Sequence, residues 1–229
     1  MKKRILFVLL LYSTAAFTQQ INCDYFIDSS QVYVDANGLN IQAGDTICLE
    51  CGHRPFLQLK NFQGDSLNYI TLLNYGGQVL IKNDTFYGFV LNNCKYFHLT
   101  GTGDEAYEYG IKIGGTGPGS SGLSLDNLSS NFEVDHVEVC NTGFAGIMSK
   151  TNPRCDLSAN RGYFTQFNTI FHDNYVHHTG GKVSISDIPI TMDGPPPAMG
   201  YPILCSLTTL WDCGFMTTSS TAPLMTRCK

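Results

Sequence analysis

The chain has 229 residues, of which 43% are hydrophobic and only 14% charged. That excludes a disordered, highly charged polypeptide and leaves room for one large domain or two small ones. A net charge of −5 offers no basic footprint for nucleic acid. Gly 23, Tyr 12 and Phe 14 beside a single Trp favour a turn-rich all-β protein over a helical one.

Residues 1–18 read as a signal peptide. Lys2, Lys3 and Arg4 form a positive start, Ile5 to Tyr12 a short apolar stretch, and Ser13 to Thr18 supply small residues for cleavage. The apolar stretch is shorter than the roughly 20 residues a spanning helix needs. No second run of spanning length follows, so the expected location is secreted, extracellular or on the outer surface. Export permits disulfides. The nine cysteines predict one or two bridges, with Cys140 and Cys155 one candidate pair.

Residues 19–41 read as a lead-in or cap. From there, short alternating or apolar runs follow one another: Phe56-Leu-Gln-Leu59, Tyr69-Ile-Thr-Leu72, Gln78-Val-Leu-Ile81 and Tyr96-Phe-His-Leu-Thr-Gly101. Tyr109 to Ile113, Val137 to Ile147 and Tyr175 to Gly180 continue the series. Gly and Asn punctuate the runs, and no amphipathic helical stretch competes with them. Short strands with Gly/Asn corners are the pattern of a β-solenoid, in which equivalent positions stack on successive coils. A β-sandwich is the alternative. It would require hairpin turns, and two-residue Asn-Gly signals are scarce outside Asn37-Gly38.

Gly44 to Leu49, Arg54 to Gly64, Gly76 to Ile81 and Tyr87 to Cys94 resemble the opening coils of secreted bacterial right-handed parallel β-helix proteins. The resemblance runs from about Gln42 to Gly180 and implies the pectate-lyase-like fold, with about three coils over residues 42–181. Proteins of that group act on polysaccharides or serve as adhesins. The resemblance implies a non-catalytic module binding polysaccharide or a cell surface. Its alternative is a polysaccharide lyase or glycoside hydrolase whose site lies partly in lost coils.

Composition breaks near Gly181. All sixteen asparagines precede it, whereas residues 182–229 hold six of nine prolines and four of six methionines. Such a break marks a domain boundary or a change of reading frame. Single-codon residues allow a test: shifted by one base, Met192–Asp193, Met199–Gly200 and Trp211–Asp212 each force Gly, and Met216–Thr217 and Met225–Thr226 each force Asp. All are turn residues. The expectation is a β-helix incomplete at its C-terminal end, followed by a Pro-rich tail that is out of frame and poorly ordered.

The densest cluster of titratable and aromatic groups is His172-Asp173-Asn-Tyr175-Val-His177-His178. On a strand Tyr175 and His177 share one face and His178 takes the other. His172, Asp173, Tyr175 and His177 are therefore candidate carbohydrate contacts, set against an ordinary solvent face with one inward histidine. A lyase would need carboxylates for Ca²⁺ and a basic residue to abstract a proton. Asp126 and Asp135 stacked together, with Lys150 or Arg154 one coil on, would be its elements. Cys48-Leu-Glu-Cys51-Gly-His53 fits neither haem attachment nor structural zinc, and no metal site is expected outside the lyase reading. Gly114 to Gly122 lacks the lysine of a phosphate-binding loop and reads as a flexible bulge. Resequencing the gene across the codons for Gly180 to Lys182 is expected to show an extra base with an open second frame; a single clean frame to Lys229 would refute the shift.

Overall fold

A computed structural model describes residues 21–160 and 162–187. Among them there is no helix, and every strand pairing is parallel. The strands are β1 (Tyr25–Ile27), β2 (Tyr33–Asp35), β3 (Thr46–Arg54), β4 (Leu57–Lys60), β5 (Ile70–Ile81), β6 (Phe89–Asn92), β7 (Lys95–Thr100) and β8 (Ile111–Gly114). They continue as β9 (Leu123–Asp126), β10 (Ser130–Asp135), β11 (Val137–Thr142), β12 (Ile147–Lys150), β13 (Thr169–Phe171), β14 (Tyr175–Thr179) and β15 (Ser184–Asp187).

Pairing sorts these strands into three ladders. The first runs β1, β3, β5, β7, β10, β13. The second starts from the C-terminal parts of β3 and β5 and continues through β8, β11 and β14. The third is the six-stranded sheet β2, β4, β6, β9, β12, β15. The chain meets the three ladders in turn and then adds the next strand to the first. Uniformly parallel pairing excludes the sandwich, whose sheets are antiparallel. The first ladder adds five strands between Gln42 and Gly180, more than the three turns expected there. Strand pairing begins at Tyr25, inside the expected lead-in. It also crosses the composition break, because β15 pairs with β12. The rest of the tail lies outside the described residues, as does the signal peptide.

Alternation along each strand sends one set of side chains inward, and parallel register stacks that set. In the first ladder the inward rows are Ile47, Leu72, Leu99, Val134 and Phe171, and Ile70, Phe97 and Phe132. Phe97 and Phe132 stack with centroids 5.3 Å apart, and Phe171 meets Phe132 edge-on. In the third ladder Leu57, Phe89, Leu123 and Ile147 form one row. Almost all are fully buried, each worth roughly 1.5–3 kcal/mol. The N-terminal end is closed by a buried arginine: Arg54 stands in an inward row and donates to the carbonyls of Gln31 and Glu50 at 3.2 and 2.7 Å. A disulfide joins Cys23 to Cys48. Cys140 carries a free thiol and Cys155 is bonded in a different disulfide, so the expected Cys140–Cys155 bridge is not formed.

Corners are made by left-handed residues. Asn61, Asn93 and Asn127 follow β4, β6 and β9 with φ of 61°, 54° and 51°. Asn93 Nδ2 donates to Asn61 Oδ1 at 2.7 Å, and Asn61 Nδ2 to Asp35 Oδ1 at 2.8 Å. Asparagine tolerates this conformation and links one corner to the next. The Gly114–Gly122 segment is not a flexible bulge. Gly117 N–H donates to Phe86 O at 3.0 Å, and a Cβ at Gly117 would fall 2.5 Å from Thr85 backbone atoms. The loop packs against its neighbour, and glycine is needed there for close approach. Replacing Asn93 by Ala is expected to lower urea-measured stability by about 2 kcal/mol, through lost hydrogen bonding and left-handed strain. Gly at the same position relieves the strain and should recover about half; equal losses would show that the corner conformation is not the cause.

Candidate functional site

All six histidines lie on strands of the first two ladders or on the residue directly after one. In β7, Phe97 and Leu99 point inward, which leaves His98 and Thr100 outward. In β10, inward Phe132 and Val134 leave Glu133 and Asp135 outward. Register sets Glu133 beside His98 and Asp135 beside Thr100. On the next strand of the ladder, β13 ends at Phe171 opposite Val134, so His172 follows beside Asp135.

Asp135 is the centre of this group, only 3% exposed. Its Oδ1 accepts from the Thr100 hydroxyl at 2.5 Å and faces His136 Nδ1 at 2.6 Å, while Oδ2 bonds His98 Nε2. Burial alone would raise its pKa; the hydrogen bonds from Thr100, His98 and His136 outweigh that and hold it below the ordinary carboxylate value. His172 lies between two carboxylates, with Nε2 2.7 Å from Glu133 Oε1 and Nδ1 2.9 Å from Asp173 Oδ2. Those two bonds raise its pKa to about 9.

The adjoining second-ladder face carries Lys112, Glu138 and Tyr175 in one row, with Cys140 beside His177 in another. Glu138 Oε1 is 2.7 Å from Lys112 Nζ and 3.2 Å from His177 Nε2. Burial pushes the Glu138 pKa up, but those two partners lower it on balance. Burial and the nearby Glu138 charge raise the Cys140 thiol. Tyr175 stacks on His177 with centroids 4.3 Å apart and lies 5.9 Å from the Tyr109 ring. Tyr175 and His177 therefore do share a face. Tyr175 is about half exposed.

The four candidate carbohydrate contacts fall into both groups: His172 and Asp173 in the first, Tyr175 and His177 in the second. The lyase-type set does not assemble. Asp135 is on the first ladder, whereas Asp126 and Lys150 end neighbouring strands of the third. Arg154 lies in the segment between β12 and β13, where its N–H donates to Asn160 and its charge acts on Asp156. The expected stacking of Asp126 on Asp135 fails because the two occupy different sheets. His98, Glu133, His136, Lys112 and Glu138 were not singled out by sequence as a site.

Asp126 instead edges a cavity of about 300 Å³ over the third ladder, with Gln58, Tyr87, Asn92, Ser124 and Met148 in its walls. Burial raises its pKa to about 6, against the pull of Lys150. Among the described residues no helix is long and apolar enough to cross a membrane. No protein-family model, curated protein or solved structure matches the chain.

The Asp126 shift has a definite sign. Its folded pKa of about 6 exceeds the unfolded value, so the charged form is the one penalised in the folded chain. The cost is absent below pH ~4 and complete above the folded pKa. Asp126→Asn should therefore be more stable than the parent by about 2 kcal/mol at pH 7.5 and equal to it at pH 4. An unchanged difference across that range in denaturant titrations would rule this out.

Proposed function

We propose that this chain is a right-handed parallel β-helix of the pectate-lyase-like kind, secreted or held on the outer surface, and that it binds polysaccharide through the outward rows of its first two ladders. The observation that carries this is the run of Tyr109, Tyr175 and His177 rings beside the Lys112–Glu138 pair. Tyrosine and histidine combine a flat apolar body with a polar tip, which suits the alternating C–H and hydroxyl surface of a sugar ring. Lys112 and Glu138 of the same row supply hydrogen-bonding groups on neighbouring strands ~4.8 Å apart. A polymer laid across the strands would meet Lys112 of β8, Glu138 of β11 and Tyr175 of β14 in turn. The three ladders, each extended by one strand whenever the chain returns to it, and the stacked corner asparagines support the solenoid.

A specific observation favours a second reading, cleavage of a polysaccharide. Asp135 is a buried carboxylate that orients His98, which remains partly exposed. A carboxylate behind an imidazole is the arrangement that sets up a general base. In this reading His98 takes the proton, and Asp135 fixes the ring and stabilises its charge.

One experiment separates the two. Retention on immobilised acidic and neutral polysaccharides should fall at least tenfold in Tyr175→Ala, while incubation with the same polymers releases no product. Undiminished retention in Tyr175→Ala would refute the binding surface. Release of unsaturated or reducing ends that is lost in His98→Ala would establish the catalytic reading in its place.

A further inference from the structure

We infer that His98, Glu133, Asp135 and His172 form a binding site for a divalent transition-metal ion of the zinc type, held across three consecutive strands of the first ladder. The inference is independent of any polysaccharide. His98 comes from β7, Glu133 and Asp135 from β10, and His172 from the residue after β13.

Three of the four residues converge on one point, and His172 closes on two of those three. The ligand atoms of His98, Glu133 and Asp135 all lie within 4.8 Å of one another. His172 Nε2 is 2.7 Å from Glu133 Oε1 and 3.9 Å from Asp135 Oδ2. Ligands at ~2.1 Å from a tetrahedral ion stand about 3.4 Å apart, between those two distances. Both histidines offer the same atom, Nε2, to the same oxygen, Asp135 Oδ2. Imidazole with carboxylate selects zinc and its first-row neighbours over calcium, which takes oxygen alone.

The surrounding bonds are those of a metal site. His172 Nδ1 is held by Asp173 Oδ2 at 2.9 Å, which directs Nε2 toward Glu133 and Asp135. Asp135 Oδ1 is occupied by Thr100 and His136, which turns Oδ2 toward the two imidazoles. Glu133 and Asp135 project from one face of one strand, and the second is buried, so the pair attracts a cation placed between them. The ion displaces the proton that His172 shares with Glu133, and two carboxylates with two neutral imidazoles then balance its charge.

A second group, Glu138, Cys140 and His177, also converges within 4.8 Å. It is the weaker candidate, because Lys112 Nζ already sits 2.7 Å from Glu138 Oε1 and opposes a metal cation there.

The test is titration of the purified chain, stripped with a chelator, with Zn²⁺ and Co²⁺ by calorimetry and absorption. One ion of each should bind, and the cobalt spectrum should lack a thiolate charge-transfer band. His98→Gln and Glu133→Gln should each weaken binding at least tenfold. Asp173→Asn, which removes only the support of His172, should weaken it about tenfold. Cys140→Ser should leave it unchanged. Circular dichroism confirms that each variant keeps its β structure, and a variant that loses it is replaced by His172→Gln. No binding above that of the His98→Gln variant would overturn the site. So would a thiolate band that vanishes in Cys140→Ser, which would move the ion to the second group, or uptake of Ca²⁺ alone.

Discussion

Parallel register is the constraint on which the rest of this structure depends. When every strand pairs in parallel with the strand one return later, each side chain lies ~4.8 Å from its equivalent on either side. For inward positions this is favourable without further conditions, and Ile47, Leu72, Leu99, Val134 and Phe171 form an unbroken apolar row. For outward positions it carries a cost, since a charge repeated at that spacing repels itself. The outward rows are built to avoid repetition. His98 stands beside Glu133, Thr100 beside Asp135, Lys112 beside Glu138, and Asp35 leads into a run of neutral asparagines. The same alternation that makes the face tolerable brings acid and base into hydrogen-bonding distance, so a chemically dense surface arises without any long loop.

A stacked structure also has to deal with its ends. Edge strands expose unpaired backbone groups, and among the described residues the first strand of each ladder is such an edge. At the N-terminal end the inward row of the second ladder stops at Arg54 rather than at a hydrophobe. Its guanidinium substitutes for the missing strand by binding the carbonyls of Gln31 and Glu50, while Glu50 accepts from the Ser29 N–H at 2.7 Å. Polarity enters the other end more gradually. Ser149 occupies the inward position next to Leu125, fully buried, and Gln166 bridges its hydroxyl and the Ser129 carbonyl. The core thus changes from hydrocarbon to satisfied polar groups along one row, which costs far less than leaving those groups unpaired.

The fold was legible wherever a strand carried its own alternation. Leu57 to Lys60, Lys95 to Thr100, Tyr175 to Thr179 and the two ends of β5 fall on runs that a period of two picks out, whereas the middle of β5, Leu73 to Gly77, does not alternate. Asn61 and Asn93 between runs do mark corners, whereas Asn74 lies inside β5 and Asn92 ends β6. The site was legible only in its last portion, His172 to His177, where the residues are close in sequence. Its other half was hidden by distance and by unequal spacing: His98 and Asp135 are 37 residues apart, and His172 and Glu133 are 39 apart. Loop lengths differ between returns, so no fixed period superimposes these positions. Ser130-Asn-Phe-Glu-Val-Asp135 does alternate, and reading it as a strand would have placed Glu133 and Asp135 outward together. Pairing Asp135 with Asp126 lost that. The cysteines failed for a related reason. Cys140 and Cys155 are near each other along the chain, whereas Cys23 meets Cys48 because the segments that carry them are neighbours in the first ladder.

Residues of this site cannot be divided cleanly into structural and functional ones. Asp135 is buried and ionised, and the donors that keep it so are Thr100, His98 and His136. Removing His98 takes away a candidate base or metal ligand and also leaves a buried carboxylate with one partner fewer, a loss that destabilises the fold itself. The rows around Glu138 behave in the same way through Lys112 and His177. Conversely, a cation or a hydrogen-bonding ligand that engages these groups also neutralises the charge that register has gathered there. Binding at this face should therefore stabilise the ladder that presents it, because ligand and fold are offsetting the same electrostatic cost.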